Sequence, residues 1–403
     1  MELRRPKTDA EWLLPGRILT SMAMTLYLAG AGLSKSLQRA RSVPLMMDFT
    51  RVLTEFVSND VVLNTLVVTE LGGVYENSCP ECKQLAEQIG KDVPKASADE
   101  RDRFARLVRS RQPESIETLF DRIETMESAN IYASGLSAYF RYAINQVFVA
   151  IGWDLEMAVL EGFLRERFKD RGEHVFVSFN YDLVLDKCIE FASDGMWQPR
   201  NGYGFEFPFY AIVDPASEHP GDAVAERSSL QLPLSIDRFR LIKPHGSLNW
   251  LVPQGKSGAV EPAEMLIPLT RDLKIRHWPP TQTFNYTQRP GEWPRDMKIL
   301  IAPPSPRKSE VLQRATSDEF EALTTVDEIF VLGYSFPKTD RDQMDLVQRA
   351  VNERKAPLSR ATVVNFKAPQ EYFEGIEDLL KPREMRCFNA GFVDFAVNSL
   401  RGG

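Results

Sequence analysis

The chain has 403 residues, room for two or three ordinary domains or for one α/β domain with a large insertion. Hydrophobic residues at 43% and charged residues at 26% are globular values and exclude wholesale disorder. With 49 basic against 56 acidic residues the net charge is −7, which argues against a surface built to grip nucleic acid, and only 4 cysteines exclude a disulfide scaffold and point to the cytoplasm.

Residues 18–34 carry no charge, follow Arg4 and Arg5, and contain Ala29-Gly30-Ala31, a small-residue cleavage pattern. Asp9 and Glu11 interrupt the basic region, however, and the stretch is short for a membrane helix. Cleavage would also remove the loop that looks most functional. The expectation is therefore a chain with no membrane association.

That loop belongs to MTLYLAGAGLS at 24–34, an apolar run ending in two glycines spaced by one and then a serine. It predicts a strand, a tight turn and a helix start. Such glycines let a backbone approach a phosphate, and the helix start supplies free N–H groups. A tight turn that binds nothing is the other reading, because the third glycine of the dinucleotide fingerprint is missing.

Residues 48–168 read almost entirely as helix, with apolar residues at three- and four-residue spacing over 48–66, 99–111, 114–128, 131–149 and 154–168. This predicts a helical module inserted between strands, giving boundaries of 1–47 for the first βα unit, 48–170 for the insertion and 171–403 for the rest of the sheet domain. HVFVSFNYD at 174–182 then predicts a buried strand feeding a helix over 183–191.

The segment 194–293 is rich in turns and aromatics and predicts hairpins and loops over a pocket rather than a second core. Within it, Tyr203, Phe205, Phe207, Phe209 and Tyr210 alternate like a strand, fitting core packing or a lid. FRLIKPHGSLNW follows at 239–250, and KILIA, EIFVL and ATVVN at 298–302, 328–332 and 361–365 predict further strands. Strands alternating with helices imply an α/β fold with a doubly wound, mostly parallel sheet.

Four strand ends finish in small or polar residues: Gly30-Ala31-Gly32, Asn180-Tyr181-Asp182, Gly333-Tyr334-Ser335 and Asn365. In an open parallel sheet the carboxyl ends of the strands converge on the ligand crevice. Glycine and serine after a strand suit phosphate or ribose, and the Asn365 amide suits ribose hydroxyls.

GAGLS, SFNYD, KPHGSLNW, LGYSFPKTD and VVN stand in the order of the motifs of the sirtuin-like superfamily, and the pattern resembles its bacterial branch that hydrolyses NAD in antiviral defence. The resemblance implies a Rossmann-like NAD site and a large all-helical insertion that contributes no motif. It implies that Gly30, Ala31, Gly32 and Ser34 lie on the pyrophosphate, and that Gly333, Ser335 and Asn365 surround the adenosine. Asn180 and Asp182 would face the nicotinamide ribose, and His245 would be the catalytic base. Breaking the nicotinamide bond passes through an oxocarbenium-like state, which requires a positioned water or hydroxyl and a base; histidine, with a reference pKa of about 6.5, suits the base.

The deacylating sirtuins carry two cysteine pairs of a zinc module after the catalytic histidine, whereas no cysteine stands between His245 and Lys298. Cys79 and Cys82 form a CxxC inside the helical module with no second pair, half a zinc site at most, so no metal is expected. Protein deacylation and a non-catalytic nucleotide-binding scaffold are the rival functions. An NAD hydrolase must be held inactive until signalled, and the stretch 370–403 is short for a sensor domain. The resemblance accordingly implies a homo-oligomer working with a HerA-type motor ATPase, without direct nucleic-acid contact, in an abortive-infection system.

Overall fold

The computed structural model describes residues 23–37, 156–206, 210–213, 225–227, 234–253, 264–268, 297–301, 310–336 and 341–401. The expectations for the helices over 48–149, for Cys79 and Cys82, and for Phe207 and Phe209 lie outside the described residues.

The chain builds an α/β fold around a six-stranded parallel sheet. Its strands are β1 (Met24–Ala29), β2 (Glu173–Ser178), β5 (Phe239–Ile242), β9 (Glu328–Leu332), β10 (Arg360–Val364) and β11 (Glu384–Phe388), in the spatial order β11-β10-β9-β1-β2-β5. From the central β1 the chain runs outward through β2 and β5, returns to the other side of β1 at β9, and runs outward again. The direction of winding therefore reverses between β1 and β9. Register pairs Ala29 with Ser178 and with Leu332, and Val364 with Leu332, so four strand ends finish level along one edge.

β1, β2, β9 and β10 are near-continuous buried runs because both faces are covered, whereas the edge strand β11 is largely exposed. Alternate residues point to opposite faces. Leu26, Leu28, Val175, Val177, Ile329 and Val331 enter a core with α4 (Glu310–Thr325), α5 (Arg341–Glu353) and α6 (Gln370–Leu380), whose buried side chains include Leu323, Leu346 and Ile376. On the other face Tyr27 stacks on Phe176 at 4.5 Å and on Phe330 at 5.3 Å, an aromatic row across three neighbouring strands. Over this row lie α2 (Met157–Arg167) and α7 (Phe392–Arg401): Phe163 meets Phe330 and Phe392 edge-on at 5.9 and 5.5 Å. Such pairs add roughly 0.5–1.5 kcal/mol each beyond their buried area. The helix expected at 154–168 is thus a covering helix of the sheet.

The segment after β2 corrects one expectation. Where hairpins and loops over a pocket were expected, it carries a second sheet of five strands in the order β4-β3-β7-β6-β8, made of β3 (Tyr210–Val213), β4 (Ala225–Arg227), β6 (Gly246–Pro253), β7 (Glu264–Pro268) and β8 (Met297–Ile301). The KILIA run, expected in the parallel sheet, is β8 and pairs antiparallel with β6. An apolar strand flanked by prolines reads the same in either sheet. The described aromatics of this region form a core: Tyr203 is 2% exposed and meets Trp197 and Trp250 edge-on at 5.4 and 5.1 Å. Core packing, not a lid, is the role of Tyr203.

A buried polar cluster sits at the start of β2. His174 is fully buried, with Nδ1 3.2 Å from the Tyr27 hydroxyl and Nε2 3.1 Å from Asp170. Burial pushes its pKa down to about 4; Asp170 opposes this, while Arg238 and Arg167 push the same way. In the unfolded chain the imidazole titrates near 6.5, so the unfolded state binds the extra proton first. Stability is therefore expected to fall as pH drops from about 6.5 toward 4, by on the order of 3 kcal/mol at the lower end. Urea midpoints across that interval check this, and His174→Gln should flatten the dependence; a wild-type midpoint unchanged between those pH values would contradict it.

Candidate functional site

Where the winding reverses, two glycine loops close on each other. Gly30 N–H donates to Leu332 O at 3.0 Å and Gly32 N–H to Gly333 O at 2.9 Å. A Cβ on Gly333 would stand 2.3 Å from Leu33 N, and one on Gly30 would stand 2.6 Å from the Tyr334 Cα. Gly333 also has φ +60°, a left-handed conformation that side chains resist. The glycines expected to admit a phosphate thus admit the neighbouring loop's backbone.

Beside this seam the first helix, α1 (Ala31–Ser36), meets the loop after β2. Asn180 Nδ2 donates to Gly30 O at 3.1 Å and to Ser34 Oγ at 3.0 Å. A carbonyl only accepts, so the amide orientation is set, with the nitrogen toward Gly30 O and Ser34 Oγ. Ser34 Oγ donates in turn to Asp182 Oδ2 at 2.8 Å, and Val184 N–H donates to Asp182 Oδ1 at 3.0 Å. Burial pushes the Asp182 carboxyl up, with Lys243, Ser34 and Val184 pulling it back. Asn180, Ser34 and Asp182 form one directional relay from the end of β1 to the start of α3 (Val184–Ala192).

His245 enters from the turn joining the two sheets. Gly246 N–H donates to Lys243 O at 3.0 Å, with Pro244 second in the turn and Gly246 at φ +82°. His245 is 4% exposed and its ring lies against Phe179 at 5.5 Å and Tyr181 at 6.4 Å, the two neighbours of Asn180. Phe179 stacks on Tyr334 at 4.2 Å, which ties this loop to the Gly333 seam.

The structure therefore brings together Gly30, Gly32, Ser34, Asn180, Asp182, His245 and Gly333. Ala31 and Ser335 are exposed on the same edge, and Asn365 lies outward, its Oδ1 accepting from Phe366 N–H at 2.8 Å. Burial raises the nearby Tyr372 hydroxyl to about 12, opposed by a hydrogen bond with Asn365. Two participants were missed from sequence, Lys243 and Asp186, buried behind Asp182. The signal was a lysine placed between the apolar run FRLI and the turn PHG.

Among the described residues no group of three or more His, Cys, Asp or Glu is placed to hold a metal, and no helix is long and apolar enough to cross a membrane. A cavity of about 400 Å³ opens at the opposite, amino edge of the sheet. Its lining charges balance, Arg167, Arg171 and Arg360 against Asp170, Asp327 and Glu328, with Glu328 2.8 Å from Arg167 and 3.2 Å from Arg360. No protein-family model matches this chain, and no curated protein matches it in sequence.

Gly333→Ala should destabilise the protein by at least about 2 kcal/mol, because backbone atoms cannot rotate out of the way. Gly375→Ala in α6, where an added methyl meets nothing within 4 Å, should be neutral or stabilising by up to about 1 kcal/mol. Comparing the two urea midpoints checks both; equal midpoints would contradict the seam.

Proposed function

We propose that this chain is an NAD glycohydrolase: it breaks the bond between nicotinamide and ribose and gives nicotinamide and ADP-ribose. The observation that carries the reading is the convergence of the Asn180–Ser34–Asp182 relay and the His245 turn on one edge of the parallel sheet. Two further facts support it. The parallel sheet reverses its winding between β1 and β9, and in open parallel sheets ligands bind beyond the carboxyl ends at such a reversal, which favours reading it as Rossmann-like. The motifs at those ends stand in the order of the sirtuin-like superfamily.

In this reading the ribose lies beside Asn180. Both amide hydrogens of Asn180 are committed to the protein, so its Oδ1 accepts from a ribose hydroxyl or from the attacking water. As the C–N bond breaks, nicotinamide leaves with the bonding pair and positive charge develops on the ribose. Water attacks the ribose carbon, and His245 takes the proton that the water loses. Positioning is worth more here than covalent chemistry, since the leaving group departs neutral.

The pure chain incubated with NAD should release nicotinamide without any peptide. His245→Ala should lower the rate by ~10²- to 10⁴-fold, with NAD binding retained. Asn180→Ala should cost as much, and a melting curve will separate that loss from the ~1–3 kcal/mol expected when Gly30 O and Ser34 Oγ lose their donor. Wild-type cleavage by both variants would overturn the assignment. NAD binding without cleavage by the wild-type chain would favour the scaffold reading.

We place this activity in the cytoplasm, as the NAD-depleting effector of an anti-phage system, with the chain in a homo-oligomer and a HerA-type motor ATPase as its partner. Light scattering with turnover measured in parallel should find an oligomer of low activity; a fully active monomer would refute that arrangement.

A further inference from the structure

Behind Asp182 the structure buries a lysine. The Lys243 side chain is 0% exposed, and its ammonium donates to Asp182 O at 2.6 Å, Ser247 Oγ at 2.8 Å and Asp186 Oδ2 at 3.2 Å. An ammonium has three hydrogens, and all three are committed inside the protein. Lys243 therefore has no donor left for a ligand and reaches the crevice only through its partners.

Those partners belong to different elements. Asp182 precedes α3, Asp186 lies in α3, and Ser247 lies on β6 of the second sheet. Asp186 is completed on its other oxygen by the Tyr203 hydroxyl, which accepts from Asn249 Nδ2 at 3.3 Å. The Asp182 carboxylate has Ser34 Oγ and Val184 N–H as its own donors. The charged groups around the pair are thus two carboxylates and one cation, with His245 in the same turn as Lys243 and the Lys187–Glu190 ion pair at 2.7 Å one position beyond Asp186.

We propose that Lys243 is a positioning residue, one buried cation anchored on the Asp182 backbone carbonyl and the Asp186 carboxylate, whose charge beside the Asp182 side chain keeps it a carboxylate and so keeps Ser34 the donor in the Ser34–Asp182 link. The proposal rests on the reading of the Asn180–Ser34–Asp182 relay as the ligand site. While Asp182 is ionised it can only accept, so Ser34 donates to it and accepts from Asn180. The Asn180 amide itself is already oriented by Gly30 O, so the charge on Asp182 decides only which way the Ser34 hydroxyl points. A protonated Asp182 would carry its own hydrogen toward Ser34 and reverse the first link. Burial favours that neutral form, and the charge that opposes it most is Lys243.

The test follows Asp182 itself. In protein labelled with ¹³C at the aspartate carboxyl carbons, its resonance is assigned by its loss in Asp182→Asn and then titrated, with no NAD present. Lys243→Met combined with Asp186→Asn removes both charges together, so no ion is left buried alone. In that double variant Asp182 should titrate higher than in the wild type, because Lys243 outweighs Asp186 in its effect on the carboxyl. The acid limb of kcat/KM for NAD should move in the same direction, which loss of packing alone would not produce. Asp182 titrating at its wild-type pH in the folded double variant would overturn the proposal. Should the double variant fail to fold, Asp186→Asn alone decides: removing the competing carboxylate should lower the Asp182 titration, and an unchanged or raised titration would overturn it. If no protein cleaves NAD while the carboxyl titration still moves as expected, the NAD reading fails and the role of Lys243 stands.

Discussion

The site depends on one close approach, the closure of the Gly30–Gly32 loop on Gly333. Parallel strands at the centre of a doubly covered sheet end in loops that compete for the same space above β1 and β9. Here the conflict is resolved by omitting side chains: Gly32 N–H bonds Gly333 O at 2.9 Å, and no Cβ fits on either side. With those loops sealed, Gly30 O and Ser34 face the loop after β2, and Asn180 bridges both. The glycines accordingly place the polar groups of the edge.

The second constraint is electrostatic. Asp182, Asp186 and Lys243 are packed where water does not reach Lys243, and every hydrogen of the ammonium has an acceptor. Buried charges of this kind cost desolvation free energy that a well-packed apolar core would avoid. Their retention is explained if the relay needs a carboxylate at its end. The same network fastens the second sheet to the first, since Ser247 and Asn249 on β6 and Tyr203 beside it belong to it. The joining of the two sheets and the charge beside the relay are therefore one problem.

Much of the parallel sheet was legible in the sequence. MTLYLA, HVFVS, EIFVL and ATVV are apolar without alternation, as strands covered on both faces must be. Their polar ends were expected to share one edge of the sheet, and Asn180, Ser34, Asp182 and His245 come together there. The second sheet was not legible, because its strands are as short as three residues and lie among prolines and glycines that signal turns equally well. KILIA illustrates the ambiguity, as nothing in five residues says which sheet they will join. The glycine spacing was read as room for a phosphate, yet spacing cannot tell a ligand from a neighbouring loop. Lys243 was visible in KPHGSLNW, but its importance comes from Asp182, 61 positions away in sequence.

The central claim is that ligand binds at the carboxyl edge between the Asn180 relay and the His245 turn. Hydrogen–deuterium exchange of the pure chain, with and without a non-hydrolysable NAD analogue, tests it directly. The account predicts slowed exchange over 29–37, 178–186 and 243–247. Slowing confined to 23–25, 167–172 and 327–328, around the cavity at the opposite edge, would contradict it.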